Sequence, residues 1–196
     1  MNAVHYILIM PKLIPQLEDH ITQKAESLFF QNGFDGVSMR KLAAELNIAV
    51  GTLYNYFPNK TMLFFSIMDK SWNRTFSEIE QFLTSTGDMT HESRRFVIEI
   101  LYNGIKERGA FTLKILAPAK DMQQAPKLQS HDPDWQQRLI NKLCETLLPL
   151  GSGFSGPDAR RTVKTLLAAI RFFIFSSETD DEAGDIDFLL KIAELN

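Results

Sequence analysis

The chain has 196 residues and one cysteine, Cys144, so it holds neither a disulfide framework nor a cysteine cluster for zinc. A reducing, cytoplasmic compartment is expected. Surplus positive charge is also missing. Lys and Arg number 21 against 24 Asp and Glu, a net charge of −3, so the chain as a whole is no basic nucleic-acid binder. A local basic site stays open. No apolar run is long enough to span a bilayer. The stretch Tyr6–Met10 has no basic flank before it and ends at Pro11-Lys12, so an apolar tail is expected rather than a leader. The four histidines (His5, His20, His91, His131) never pair at i, i+4 spacing, so neither a metal nor a cofactor is expected. "SHDPD" around His131 reads as a solvated loop. There is no G-x-S-x-G, P-loop or dinucleotide fingerprint, which disfavours an enzyme.

Strand-like alternation is absent too, and apolar residues recur at helical spacing almost throughout. The expected fold is all-α, with about nine helices. Leu17, Ile21, Ala25 and Leu28 share one face of a first helix, with Pro15 at its start and Asn32-Gly33 at its stop. Ser38 caps a second through Leu46, and Ala49–Phe57 form a third. Asn59 caps a fourth, whose stripe runs Phe65, Met68, Trp72, Phe76, Ile79, Leu83. From Lys60 to Leu83 it is a rod of roughly 36 Å. Thr90–Arg108 and Ala110–Leu116 read as a fifth and a short sixth helix. Residues 117–133, with three prolines, read as an irregular connection. Asp134–Leu148, Asp158–Ser176 and a segment carrying Ile186, Leu189, Leu190 and Ala193 complete the set. Asp180–Glu182 suits the last helix's start.

The third helix is the unusual one. At 100° per residue, Ala49, Leu53 and Phe57 form an apolar back, while Gly51, Tyr54 and Asn55 point the other way, flanked by Val50 and Thr52. An ordinary solvated face carries Lys and Glu. This one has hydroxyl, amide and aromatic groups that donate, accept and touch methyls, which suits base-pair edges. Gly51 weakens a helix by roughly 1 kcal/mol, and close approach to a base or phosphate gives it a reason. "SMRKLAAELNIAVGTLYNYF" is helix, short turn, helix, with Ala43 small at the crossing and Ile48 and Leu53 between the helices. Between residues 38 and 60, Arg40, Lys41 and Lys60 stand against Glu45, a local balance of +2 on an acidic chain.

At this point "FFQNGFDGVSMRKLAAELNIAVGTLYNYFPNK" resembles the signature of the TetR family of bacterial transcriptional regulators. The detailed resemblance covers about residues 17–65, and the rest agrees in helix count and length. Asn47 stands where the family often has Gly, and Asn55-Tyr56 replaces the commoner Tyr-His. The resemblance implies phosphate contacts from Ser38, Lys60 and the hydroxyls of Tyr54 and Tyr56. It implies that Arg40 reaches a base edge or phosphate, and that Val50, Gly51, Thr52 and Asn55 lie against bases. Tyr56 has a core reading beside this one, Ser38 serves as a cap in either case, and Lys41 reads as solvated.

The division expected is a DNA-binding domain over 14–60 and a helical ligand-binding and dimerisation domain over 61–196. The aromatics of the second domain are ordinary core for the most part. Where they line a pocket for a small apolar or aromatic effector, the candidates are Trp72, Phe96, Leu101, Phe111, Trp135 and Phe172. The family's pocket lies among helices four to eight. Leu166, Leu167, Ile170, Phe173, Ile174, Ile186, Leu189 and Leu190 are more apolar surface than a terminal helix pair hides alone, so a two-fold homodimer interface is expected there. The resemblance implies a repressor released from double-stranded operator DNA by its ligand. The rivals are a binding or adaptor protein that has lost operator binding, and an enzyme in the helical domain.

Overall fold

The computed structural model describes residues 15–116, 134–151, 154–176 and 181–194. Within them the chain forms eight α-helices and no strand: α1 (Pro15–Asn32), α2 (Met39–Glu45), α3 (Val50–Tyr56), α4 (Lys60–Ser85), α5 (His91–Leu116), α6 (Trp135–Leu147), α7 (Ala159–Ser176) and α8 (Glu182–Glu194). Short 3-10 turns, Leu148–Leu150 and Gly156–Asp158, join α6 to α7. The apolar tail before α1, the proline-containing connection and His131 lie outside the described residues.

Caps at both ends of the first domain follow the sequence. Ser38 Oγ accepts from the Lys41 amide at 3.1 Å, and Asn59 Oδ1 accepts from the Met62 amide at 2.8 Å. Gly33 ends α1 at φ 72°, and Asn47 makes the turn between α2 and α3 at φ 54°, a conformation Asn tolerates better than most residues.

Two expectations change. The fifth and sixth helices are one, because α5 runs unbroken through Gly109. A side chain at that position would run into the Phe175 ring of α7, so packing supplies the reason for the glycine and overrides its weak helix propensity. Ala49, expected on the buried back of the third helix, is instead its exposed N-cap with extended backbone.

There are two apolar cores. One gathers Ile21, Ala25, Leu28 and Phe29 of α1, Leu42 and Ala43 of α2, Leu53 and Phe57, and continues into α4 through Leu63, Phe64, Ile67 and Met68. The other starts at Trp72 and Phe76 and is built with α5 to α8 and buried Phe154. The seam therefore falls inside α4, between Met68 and Trp72, not at its first residue. Phe111 of α5 stacks on Phe64 at 6.5 Å between ring centroids, and α1 packs on both α4 and α5. Lys70 Nζ adds a 2.6 Å bond to Asp19. The first core is thus joined to the second through the shared α4 and through the packing of α1 and Phe64 on α5.

Candidate nucleic-acid interface

The α2–α3 pair is held from behind. Leu42, Ala43 and Leu53 have no exposed surface. The Ile48 amide donates to Ala43 O at 3.0 Å across the turn. With its back anchored, α3 leaves Gly51, Tyr54 and Asn55 exposed, and Val50 and Thr52 half-exposed. Space for a Cβ at Gly51 is open, with no heavy atom within 4 Å. Nothing inside the protein therefore demands glycine there. Tyr56 is half-buried and packs against the first core while the Tyr54 ring stands clear.

Ser38 and Arg40 are exposed beside α3. Arg40 and Lys41 form no ion pair among the described residues. Glu45, the only carboxylate between residues 38 and 60, is matched by Lys24 at 2.9 Å, which also holds its carboxyl below the usual range. The local field is thereby left to the cations.

Lys60 is placed differently from the solvent-facing lysine that phosphate contact suggests. Its Nζ donates to Phe34 O at 2.7 Å and Val37 O at 3.0 Å, and lies 4.2 Å from the centre of the Phe34 ring. Burial pushes its pKa down, with Asp35 opposing. Two of its three donors thus pin the α1–α2 turn to the start of α4, and one is left for an outside acceptor. The turn's carbonyls carry no signature in sequence, so this second duty was not legible there.

The six candidate ligand residues do not converge. Leu101 is fully buried. Trp72 stacks on Phe76 at 5.7 Å and has the Arg108 guanidinium over its ring. Phe111 belongs to the first core, and Trp135 lies against Phe65 while its Nε1–H donates to Asp69. Phe96 is largely exposed against Phe82, and Phe172 is 61% exposed on the outer side of α7. The pocket reading fails for Phe172, because its position on the helix turns it away from the core.

Correction is needed at the candidate interface as well. Leu166, Ile170, Ile186, Leu189 and Leu190 are all buried within the protomer's own second core. Helix α8 packs on both α5 and α7, which hides this stripe without a partner. Leu167, Phe173 and Ile174 are partly exposed. The truly outward apolar groups are Phe172, Phe175 and Phe188, the last at 52% exposure and 5.7 Å from Phe173.

A short helix presented outward by a capped partner, on a head that shares one helix with a larger helical body, defines a helix-turn-helix protein. Residues 21–67 match the family model described as bacterial regulatory proteins, tetR family. A HTH-type transcriptional regulator of Bacillus subtilis, YuxN, described as uncharacterized, is 33% identical over 94 residues. That match takes in 48% of this chain and 32% of the relative, so the chain spans about a third of that protein's length. The nucleoid occlusion factor SlmA of Edwardsiella ictaluri is 28% identical over 156 residues, covering 78% of this chain and 75% of that one. The crystal structure of Thermus thermophilus FadR, a TetR-family transcriptional repressor in complex with lauroyl-CoA, superposes with a TM-score of 0.59 at 18% identity, over 90% of this chain and 93% of that one. At this identity the likeness is one of fold. The head over residues 21–67 thus carries the tetR-type regulatory signature, and the body is similar to TetR-family proteins in fold. No helix among the described residues is long and apolar enough to cross a membrane.

Proposed function

We propose that the protein is a dimeric, sequence-specific DNA-binding transcriptional regulator, a repressor that leaves its operator when a small molecule binds the helical body. The observation that carries this reading is the outward face of α3: Gly51 in open space, with Tyr54 and Asn55 exposed and no charge among them. In this reading Thr52 and Asn55, with Val50 and Gly51, meet base edges. Ser38, Arg40, Tyr54, Tyr56 and the remaining donor of Lys60 hold phosphates and set the register. That a protein of the same fold, FadR, is found in complex with lauroyl-CoA supports a body that takes a ligand. A salt-dependent gel-shift assay on the intergenic DNA upstream of the chain's own gene tests it. Tight binding to one fragment, weakening steeply with salt, is the expected result. Equal, weak binding to every fragment would leave an adaptor without an operator.

One alternative has a specific observation behind it. The match to nucleoid occlusion factors runs well past the head into the body. In that case, sequencing of DNA recovered with the protein would show sites dispersed around the chromosome rather than at a few promoters.

A further inference from the structure

Arg108 is the one charged side chain among the described residues that is more than nine-tenths buried, at 7% exposure. It lies between α4 and α5. Its guanidinium carbon lies over the Trp72 ring, 3.6 Å from the centroid. Nη1 donates to Thr75 Oγ1 at 2.9 Å and to the Ser71 carbonyl at 3.3 Å. Among the described residues Nε and Nη2 have no acceptor, and no carboxylate forms an ion pair with the group. Loss of water around it pushes its pKa down to about 10, so it stays charged at neutral pH.

The neighbourhood is shaped around this group. A Cβ at Gly104 would come 2.9 Å from Nη2 and 2.6 Å from Thr75 Oγ1, so a larger residue there would displace the guanidinium. Arg108 and Gly104 line a cleft of about 370 Å³ along the α4–α5 junction. The unsatisfied pair of donors is informative. Nε–H and Nη2–H point the same way from one edge of the planar group, and that edge matches the two oxygens of a carboxylate. A buried charge left unpaired is costly, and an acceptor brought by a ligand removes that cost.

The rest of the cleft narrows the ligand further. Phe96 and Ile100 supply apolar wall, and Asn103 a polar one. Glu78 and Glu107 are exposed on the lining and form no ion pair among the described residues, and Glu99 is held by Arg95 at 2.9 Å. Among the described lining residues Arg74 is the only other cation. A phosphate or a dicarboxylate would meet these carboxylates as like charges. A ligand with one carboxylate and one amine meets both signs.

We propose that the α4–α5 cleft binds a small amino carboxylate, its carboxylate paired with the Nε–Nη2 edge of Arg108 and its ammonium group facing Glu78 and Glu107. Both nitrogens are covered in the free protein, so the ligand parts α4 from α5 as it enters. The regulatory consequence rests on the function proposed above; the binding does not.

The test uses the full chain without DNA, by calorimetry and thermal shift. The probes are the twenty L-amino acids, 4-aminobutyrate and 6-aminohexanoate, with 3-phenylpropionate, butyrate, 2-phenylethylamine and butylamine lacking one group each. At least one amino carboxylate is expected to bind and raise the melting temperature, with compounds lacking either group roughly tenfold or more weaker. Arg108→Lys, which keeps the charge and loses the fork, is expected to weaken binding at least about tenfold. Should that variant fail to fold, the exposed double change Glu78→Gln with Glu107→Gln decides, and it should erase the preference for the amine-bearing compound. No binding by any amino carboxylate at about 10 mM, or binding indifferent to these changes, overturns the site. Intact operator binding alongside that result would leave the regulator standing. Ligand binding without operator binding would leave the site standing and remove the regulator.

Discussion

Two positions in the head separate what the fold needs from what DNA needs. Gly51→Ala adds a methyl where, beyond its chain neighbours and its own helix backbone, no described heavy atom lies within 4 Å. The free protein should gain about 0.8–1 kcal/mol from helix propensity and melt higher. Operator affinity should fall, because the proposed function sets bases against that space. A stabilised variant with unchanged affinity in a shift assay would take Gly51 off the interface. Lys60 carries the opposite mixture. Lys60→Ala removes two bonds from a charged donor to the turn carbonyls. Stability should drop by roughly 2 kcal/mol in urea denaturation. Affinity for all DNA sequences should fall alike, with a salt slope smaller by about 0.9. Thr52→Ala and Asn55→Ala should change which base pairs are preferred, by about 1–3 kcal/mol at the position read.

At the scale of the element, the start of α2 has one capping hydroxyl to which the proposed function adds a phosphate contact. Ser38 caps the helix and stands exposed beside α3. Ser38→Asp preserves the cap, since Asp caps as well as Ser, and sets a negative charge against the expected phosphate. Its melting temperature should match the parent while operator binding weakens severalfold. Ser38→Ala should instead lose about 0.5–2 kcal/mol of stability. Unchanged affinity in Ser38→Asp would reduce this residue to a cap. The same scale explains α5. Its breaker, Gly109, looks like a boundary in sequence, yet the close approach of Phe175 accounts for it without ending the helix.

For the whole molecule, the issue is which apolar groups face outward. Phe172→Glu or Phe188→Glu changes an exposed ring and should yield a folded monomer in sedimentation, with operator binding lost because two linked heads are needed. Ile170→Glu or Leu190→Glu places a charge in the protomer's own core and should unfold the chain. A dimer unmoved by both Phe changes would place the interface elsewhere. The switch belongs to this scale too. Helix α4 contributes to both cores, so a ligand that tilts it moves the head. Coupling of about 1–3 kcal/mol changes operator affinity roughly 5–150-fold, and operator DNA must weaken the ligand by the same factor. Ligand titrations with and without operator that agree would disprove this route.

Local features were legible in the sequence by itself. The 3.6-residue period gave most of the helices, and the caps at Ser38 and Asn59 gave two of their starts. The unusual chemistry of the third helix was visible too, because neighbours on so short a helix share a face whatever surrounds it. What only the tertiary structure decided is which apolar stripe meets which. Leu166, Ile170, Ile186, Leu189 and Leu190 look the same in sequence whether a second copy or α5 covers them, and the protomer's own packing hides them. The seam inside α4, the capture of Lys60 by two distant carbonyls and the unpaired edge of Arg108 arise in the same way. Each depends on contacts between residues far apart in the chain, and periodicity carries no information about partners at that distance.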